Sequence, residues 1–305
     1  MSTQRPPTID PVAATRWATL APQPTESPWL HEEVARRMEE RLQWIVQKPR
    51  QWAHWGALRG GLKAHGLLSK RYPNSDCFVL ESTASRAQAA RNLIAKPWWS
   101  PRGWTGPWVK FEAPVQPVQM LWANMALHTA ADPEALIAEW HRLIAVDGFA
   151  MFSCLGPDTL RELRAVYARL GWPVAGHEFT DMHDWGDMLV HAGFAEPIMD
   201  MERITLTYST PQSLLAELRG LGRNLHPQRF PGLRSRAWLA RLHAALAQGL
   251  ASPAGDGRLQ VTFEVVYGHA FKPAPRLNVQ AETTVSLEQM RAVLKQGPTG
   301  AKSGA

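Results

Sequence analysis

The sequence predicts an α/β protein built around a largely parallel sheet, and residues 118–163 give the strongest support for this fold class. Two apolar runs, Val118–Ala123 (VQMLWA) and residues 149–154 (FAMFSC), are too short to be helices of their own and indicate buried strands. An amphipathic segment between them begins at Asp132, which can cap a helix, and Pro133, which suits the first helical position. Strands joined through a helix run parallel, and parallel sheets are covered by helices on both faces.

The residues that follow these two strands are the first candidates for a binding site. In open α/β sheets, ligands bind beyond the carboxyl ends of the strands. Residues 124–128 follow the first strand, and residues 155–159 follow the second. We therefore expect both segments to lie at the mouth of one site.

The N-terminal third predicts an arm followed by alternating helices and strands. Residues 1–28 contain six prolines and little apolar periodicity, so we expect an irregular arm. A helix is predicted over residues 27–48 because Leu30, Val34 and Met38 recur on one face. The next elements are a strand at Gln51–Trp55, a helix at 62–70, a strand at 77–80, a helix at 85–95, a loop at 96–107 and a short strand at 108–111.

The C-terminal half predicts further helices and a pair of antiparallel strands. Turn and cap residues indicate a turn at Asp147-Gly148 and helices that begin at Gly156-Pro157-Asp158, at Thr210-Pro211, and over residues 182–192 and 235–250. Apolar and polar side chains alternate along residues 198–208 and 259–267, which is typical of half-buried strands. We expect these two strands to pair in antiparallel fashion.

Composition and cysteine usage narrow the class of protein. A chain of 305 residues with 45% hydrophobic residues can bury one large core. Cys77 and Cys154 lie in apolar runs and give no support for a metal site, so we expect buried, inert thiols. No segment resembles a signal peptide or reaches membrane-spanning length, which predicts a soluble, cytoplasmic protein without membrane contact. The net charge of +6 suggests an acidic partner or ligand.

These patterns divide the chain into five predicted segments. They are an irregular arm at 1–28, a core at 29–209, a helical cap insert at 210–255, the last core strand at 256–275 and a peripheral tail at 276–305. The predicted insert divides the core in the sequence, and the strand in segment 256–275, which follows the insert, completes the sheet.

A strand, a glycine turn, a helix, a second strand and an acidic residue follow one another in an order typical of nucleotide-binding folds. Gly56 and Gly60 follow the first strand, and glycines let the backbone approach a ligand at a helix N-terminus. Glu81 ends the second strand, where a carboxylate can accept hydrogen bonds from ribose hydroxyls. An ordinary tight turn with a solvent-facing glutamate also explains these residues, and taken alone they favour that interpretation.

Three longer blocks carry a more specific signal. They are WANMALHTAADPEALIAEWHRLIAVDGFAMFSCLGPDTLRELR (122–164), FTDMHDWGDMLVHAGFAEPIMDMERITLTY (179–208) and FEVVYGHAFKPAP (263–275). Together they resemble the class I S-adenosylmethionine-dependent methyltransferases, and more narrowly the malonyl-acyl-carrier-protein O-methyltransferases of biotin synthesis. The resemblance implies a Rossmann-like class I methyltransferase sheet, mostly parallel with an antiparallel last strand, flanked by helices and carrying a small helical cap insert.

The resemblance also implies a set of residues for S-adenosylmethionine. The family's glycine loop reads acidic-x-Gly-x-Gly-x-Gly, and the matching residues here place histidine at the acidic position and leucine at the middle glycine. A leucine side chain there could crowd the cofactor. Glu81 matches the ribose-binding acid, and Glu112 is the nearest carboxylate to the family's adenine-side aspartate. The cofactor-binding residues implied are His54, Gly56, Gly60, Glu81 and Asn124, with Leu58 inside the loop.

The catalytic residues implied by the resemblance are Asn124, His128 and His183. Asn124 and His128 match the acceptor side of the family's site, although a loop histidine with satisfied hydrogen bonds is a serious alternative for His128. His183 belongs to an acidic cluster with Asp181. Residues so close along one helix start cannot enclose a metal ion unaided, so Asp181 is interpreted as a helix cap and His183 as facing the substrate. Trp17 replaces a family tyrosine that lies over the reaction site.

The predicted insert carries an unbalanced positive charge. No acidic residue occurs between Glu217 and Asp256, whereas six arginines do. A solvated helix face is the usual explanation for such a run, and nucleic acid is a less favoured partner because only Phe230 and Trp238 could stack on bases. The resemblance implies that the insert meets the acidic acyl carrier protein, and the carrier-docking residues are Arg219, Arg223, Arg229, Arg234 and Arg236.

The activity implied by the resemblance is methylation of the free carboxyl of a malonyl thioester on acyl carrier protein, with S-adenosylmethionine as the cofactor. A carboxylate acceptor is already an anion, so alignment and exclusion of water matter more than acid–base catalysis. Two alternatives remain open. The first is a non-catalytic methyltransferase-fold binding protein, which His54 and Leu58 favour. The second is a methyltransferase for another small carboxylate.

Overall fold

A seven-stranded sheet organises the computed structural model, which describes residues 9–20, 26–95 and 107–275. The strands are β1 (Gln51–Trp55), β2 (Asp76–Leu80), β3 (Val109–Lys110), β4 (Val118–Ala123), β5 (Ile144–Leu155), β6 (Ala195–Tyr208) and β7 (Leu259–Phe271). Their order across the sheet is β3-β2-β1-β4-β5-β7-β6. The first five strands in this order are parallel, whereas β7 is antiparallel to both β5 and β6. The predicted fold class is confirmed.

Helices cover the two faces of this sheet. They are α1 (Pro11–Thr19), α2 (Trp29–Arg41), α3 (Ala57–Gly60), α4 (Leu62–Arg71), α5 (Ala84–Ile94), α6 (Pro133–Leu143), α7 (Arg161–Arg169), α8 (Met182–His191), α9 (Pro211–Leu221) and α10 (Arg236–Gly249), with short 3-10 turns at Leu42–Trp44 and Leu127–Thr129. The predicted caps are present: the Asp132 side chain accepts a hydrogen bond from the backbone of Ala135, and Asp181 accepts one from that of His183.

Two apolar layers pack against opposite faces of the sheet. Alternate residues of β4 enter different layers, as the two-residue period of a strand requires: Met120 and Trp122 enter one, and Leu121 and Ala123 the other. The seven strands and the described residues from 9 to 273 lie in one compact unit. Within the described ranges, no helix combines the length and the apolar composition needed to cross a bilayer.

The arm, which was predicted to be irregular because of its prolines, contains the helix α1. Asp10 caps α1 by accepting hydrogen bonds from the backbone of Val12 and Ala13, and Pro11 takes the first helical position. The buried face of α1 packs on Leu225 in the insert. Because this contact is with a residue far away in the sequence, local periodicity did not reveal it.

Two predicted helix boundaries are also corrected. The helix predicted to reach residue 48 ends at Arg41, since Ile45 is extended and Lys48 precedes a proline, a position that disfavours helix. The helix predicted from Gly156 begins only at Arg161. The loop predicted at 96–107 lies outside the described residues up to 106, and so does the tail from 276.

The turn predicted at Asp147-Gly148 lies inside β5 instead. Asp147 has a positive φ of 62°, and its N–H donates to the carbonyl of Lys272 beside β7. At Gly148 an added Cβ would lie 2.8 Å from the carbonyl oxygen of Gln119. The strand therefore continues through a local irregularity that only glycine fits.

Both cysteines are buried and free, as predicted. Burial raises the pKa of the Cys77 thiol well above its usual range and also raises the pKa of Cys154. Neither sulfur is therefore in the reactive thiolate form at neutral pH.

Candidate functional site

A cavity of about 580 Å³ lies at the carboxyl ends of β1, β2 and β4. We call it the sheet cavity; its walls include Trp17 of α1, Trp55 and Gly56 after β1, Glu81 after β2 and Asn124 after β4. Since this is the edge at which ligands bind in open α/β sheets, it is the leading candidate for a cofactor site. Glu112 also contributes to the lining.

A smaller cavity of about 260 Å³ lies between the core and the insert. This insert cavity is mainly apolar, with Leu163 and Phe263 on the core side and Leu215 and Leu218 of α9 on the other. Arginine side chains, Arg219 and Arg223 among them, also line it. Thr129 and Leu221 line both the insert cavity and the sheet cavity, so the two cavities adjoin.

A third cavity of about 480 Å³ is lined by acidic side chains, including Asp10, Asp132 and Glu178. His128 lines both this cavity and the insert cavity. Two carboxylates of this third cavity already stabilise the fold, since Asp132 caps α6 and Asp10 pairs with Arg229.

In the glycine turn after β1, the backbone can come close to a ligand at Gly56. Gly56 lines the sheet cavity with a φ of 65°, and no heavy atom lies within 4 Å of where its Cβ would be. Leu58 does not crowd the cavity, because its side chain packs in the apolar core and is 3% exposed. Gly60 faces the protein: an added Cβ would lie 3.1 Å from the carbonyl oxygen of Asn124.

His54 lies inside the core and does not line the sheet cavity. Its ring stacks on that of His65, with the two Nδ1 atoms 3.4 Å apart. Burial, and secondarily the neighbouring imidazole, hold the pKa of His54 well below its usual range. A neutral, enclosed histidine therefore occupies the place of the acidic residue, and the structure gives it no contact with a ligand in this cavity.

Glu81 forms a closed ion pair at the wall of the sheet cavity. One carboxylate oxygen accepts from the backbone N–H of Leu58 at 2.8 Å, and the other accepts from Nε of Arg86 at 3.1 Å. The side chains of Glu81 and Arg86 are 1% and 5% exposed. Burial raises the pKa of Glu81, although these two partners lower it. Ribose hydroxyls would have to share this carboxylate with its present partners.

The amide of Asn124 is fully engaged by the protein. Its Nδ2 donates to the carbonyl oxygens of His31 and Gly60, and its Oδ1 accepts from the Ser153 hydroxyl at 2.6 Å. Asn124 is 2% exposed. It therefore joins the end of β4 to α2, to the glycine turn and to β5, and its side chain positions the cavity wall.

His128 is buried beneath the insert and stays neutral. Burial, followed by repulsion from His31 and His177, holds its pKa well below its usual range. Its Nδ1 is a buried polar atom without a hydrogen-bond partner in the described residues. The carbonyl oxygen of His128 accepts from His177 Nε2 at 3.2 Å, while His177 Nδ1 accepts from the backbone N–H of Leu225 at 3.4 Å. His177 thus links the core to the insert.

His183 lies on the surface at the start of α8. Its Nδ1 is 2.6 Å from the Asp181 carboxylate, and its side chain is 80% exposed. It lines none of the three cavities, so this geometry gives it no part in a reaction there. Among the described residues, no group of three or more His, Cys, Asp and Glu side chains could hold a metal ion.

The five arginines predicted to dock a carrier occupy different environments. Arg219 and Arg223 line the insert cavity, whereas Arg236 is exposed at the start of α10. Arg229 donates to the Asp10 carboxylate at 2.6 Å. The guanidinium of Arg234 lies over the rings of Phe230 and Trp238, with its carbon 3.8 and 4.0 Å from their centres.

Several residues of the site were not predicted from the sequence. Arg86 lies five residues after Glu81, in the first turn of α5. This short spacing could have indicated the ion pair between them. Arg59 lines the sheet cavity from within the glycine turn. His177 and Ser153 carried no local signal, because their partners are distant in the sequence.

Two solved structures superpose on this chain over most of its length. A methyltransferase structure from Bacillus halodurans superposes with a TM-score of 0.51 and 14% identity, covering 79% of this chain and all of that one. The YcgJ protein of Bacillus subtilis gives a TM-score of 0.50 and 13% identity, covering 80% of this chain and 99% of that one. The sheet order and the position of the sheet cavity define a class I S-adenosylmethionine-dependent methyltransferase fold.

Sequence comparison narrows this class to one family. A malonyl-[acyl-carrier protein] O-methyltransferase of Gallionella capsiferriformans is 37% identical over 257 residues, covering 82% of this chain and 86% of the relative. One from Laribacter hongkongensis is 38% identical over 261 residues, covering 81% and 84%. No protein-family model matches the chain. The chain belongs to the malonyl-[acyl-carrier protein] O-methyltransferase family.

The sheet cavity lies where the methyltransferase fold places S-adenosylmethionine, and two residues of its glycine turn leave room for a ligand. The backbone at Gly56 is open to a ligand, and Leu58 leaves the cavity free. The departures from the family loop concern charge: a buried neutral histidine stands at position 54, and the carboxylate of Glu81 is already paired. The cavity can therefore hold the cofactor with contacts that differ from those of the family's usual loop.

Proposed function

We propose that the protein is an S-adenosylmethionine-dependent O-methyltransferase that acts on the free carboxyl of a malonyl thioester carried by acyl carrier protein, in biotin precursor synthesis and in the cytoplasm. One observation carries this proposal: a cofactor-sized cavity at the sheet edge adjoins an apolar cavity under the insert through Thr129 and Leu221. The first cavity would hold the cofactor, and the second the acyl end of the acceptor. The names of the relatives supply the malonyl carrier as the acceptor.

The residues around these cavities position ligands and exclude water. S-adenosylmethionine, when bound, supplies a methyl group from its sulfonium to the acceptor carboxylate without a proton transfer. The chain therefore needs no general base there, which agrees with the engaged amide of Asn124 and the neutral His128. The leucines of α9 give the insert cavity an apolar wall, and exclusion of water there would strengthen the electrostatic interactions of the acceptor.

The first test is binding of S-adenosylhomocysteine, measured by calorimetry. We expect a dissociation constant in the micromolar range, about −8 kcal/mol. Gly56→Val should weaken binding at least about tenfold, because a branched residue is strained at positive φ and its side chain would enter the cavity. Gly66→Ala is the matched control, since Gly66 is in α4 and an added Cβ there meets open space. Methyl transfer is then read as a mass increase on malonyl carrier protein.

A wild-type protein that binds no S-adenosylhomocysteine at millimolar concentration would contradict this proposal. It would favour the second function, a methyltransferase-fold binding protein without catalysis. The enclosed His54 and the paired Glu81 are the specific observations in favour of that alternative.

Two arginines of the insert, the half-buried Arg234 and the exposed Arg236, are proposed to dock the acidic carrier. The double variant Arg234→Glu/Arg236→Glu should weaken carrier binding about tenfold at low salt and leave S-adenosylhomocysteine binding unchanged. The double variant Arg91→Glu/Arg142→Glu, at exposed residues of α5 and α6, is the charge-matched control. Carrier affinity is measured by titration at two salt concentrations. Equal losses in the double variant and in the control would reject docking through the insert.

A further inference from the structure

Two arginine side chains meet at the indole ring of Trp17. The guanidinium carbon of Arg59 lies 3.6 Å from the ring centre, and that of Arg223 lies 5.0 Å from it. Arg59 also donates a hydrogen bond of 2.9 Å to the carbonyl oxygen of Trp17. The two guanidinium carbons are thus separated by no more than the sum of the two ring distances.

Neither of these arginines has an acidic partner. Within the described part of the chain, no carboxylate oxygen lies within the 4.0 Å limit of an ion pair from either guanidinium, whereas Arg86 and Arg229 have such partners. Burial, together with repulsion from Arg86 and Arg223, lowers the pKa of Arg59 to about 10. The Glu81 carboxylate acts in the opposite direction and raises the pKa of Arg59. Because Glu81 is itself paired with Arg86, three guanidinium groups share this one carboxylate, and Arg59 and Arg223 leave net positive charge beside Trp17.

The location of this pair connects the two cavities of the proposed reaction. Arg59 and Trp17 line the sheet cavity, and Arg223 lines the insert cavity. The two cavities share Thr129 and Leu221. A ligand group held by both arginines would therefore lie where the cofactor and the acceptor meet.

We propose that Arg59 and Arg223 form an anion subsite beside Trp17 that binds a carboxylate of the reacting ligands. This inference rests on the proposed function and adds specificity-determining residues to it. Guanidinium groups bind carboxylates through paired N–H donors, so a carboxylate that lies beside the indole ring can accept hydrogen bonds from both arginines. Trp17 holds the two cations in place through its ring.

Two ligands can supply this carboxylate. One source is the free carboxyl of the acceptor, and the other is the amino-acid carboxyl of the cofactor. If the acceptor is the source, methylation removes the charge, and the subsite holds the substrate more tightly than the product. That difference would favour release of the methyl ester.

The test compares matched ligands in the full-length protein. Calorimetry gives the dissociation constants of two pairs of ligands. The first pair is S-adenosylhomocysteine and 5′-methylthioadenosine, which lacks the amino-acid carboxylate. The second pair is malonyl-pantetheine and its methyl ester. The proteins are wild type, Arg59→Gln, Arg223→Gln, the double variant, and Arg241→Gln, at an exposed residue of α10, as an insert control. We expect wild type to prefer the carboxylate member of one pair about tenfold, and the double variant to lose that preference. The control should keep it, and unchanged binding of the carboxylate-free ligand shows that the variant is folded.

The pair of ligands that responds identifies the source of the carboxylate. A wild type without any such preference, or a double variant that retains it, would overturn the subsite. The proposed function fails by a different result, the absence of methyl transfer from S-adenosylmethionine to malonyl carrier protein in wild type. In that case the binding preferences in the two ligand pairs still decide on the subsite, because anion binding requires no transfer.

Discussion

Arg86→Ala should lower the free energy of unfolding by about 3–4 kcal/mol at neutral pH. The change leaves the Glu81 carboxylate buried, with the backbone N–H of Leu58 as its remaining hydrogen-bond donor. An uncompensated buried charge is among the most destabilising results of a single substitution. Urea unfolding followed by circular dichroism measures the loss. Arg36→Ala is the control, because Arg36 pairs with Glu33 on the exposed side of α2 and should cost less than about 1 kcal/mol.

The Arg86→Ala loss should shrink in acid. Burial already raises the pKa of Glu81, and removing Arg86 deletes an interaction that lowers it, so the pKa rises further in the variant. A carboxyl group with a raised pKa in the folded state binds its proton more tightly there than in the unfolded chain. Stability is therefore gained as the pH falls through the folded-state pKa towards the unfolded value. A deficit that is as large at about pH 5 as at about pH 7.5 would contradict this account.

Asn124→Ala should cost about 3 kcal/mol of unfolding free energy. The substitution strips partners from three buried groups: the carbonyl oxygens of His31 and Gly60 and the hydroxyl of Ser153. We also expect weaker binding of S-adenosylhomocysteine, because the glycine turn loses its link to β4. Urea unfolding and calorimetry on the same variant measure both effects.

The control for this position is an asparagine outside the network. Asn92→Ala, on the exposed face of α5, should change stability by less than about 0.5 kcal/mol. A residue that acted directly on the ligand would lose binding without losing stability. If Asn124→Ala retains wild-type stability, the positioning role described for this amide is wrong.

Local patterns in the sequence were sufficient for the sheet and for most of its helices. Val118–Ala123 and the Asp132 cap were predicted because the apolar run and the cap residue are contiguous in the chain. The antiparallel pairing of β6 with β7 followed from two alternating strands. The helix α1 was missed because its stability depends on Leu225, which no local pattern connects to it.

The chemistry of the site was less accessible to sequence reasoning. Glu81 was recognised as the acid at the end of β2, but its ion pair with Arg86 depends on how α5 packs. His54 could be seen as a departure from the glycine loop, whereas its enclosure against His65 required the fold. His183 was expected near the substrate, and its position on the surface became clear only from the packing of α8.

The link made by His177 bears on how this protein can change over evolutionary time. The hydrogen bonds that hold Leu225 are made by its backbone: its N–H donates to His177, and its carbonyl oxygen accepts from the N–H of Asp10. Backbone groups are present whatever side chain occupies a position. The outer surface of the insert can therefore accumulate substitutions and adapt to a changing partner such as the proposed carrier, while this connection keeps the roof of the cavity in place.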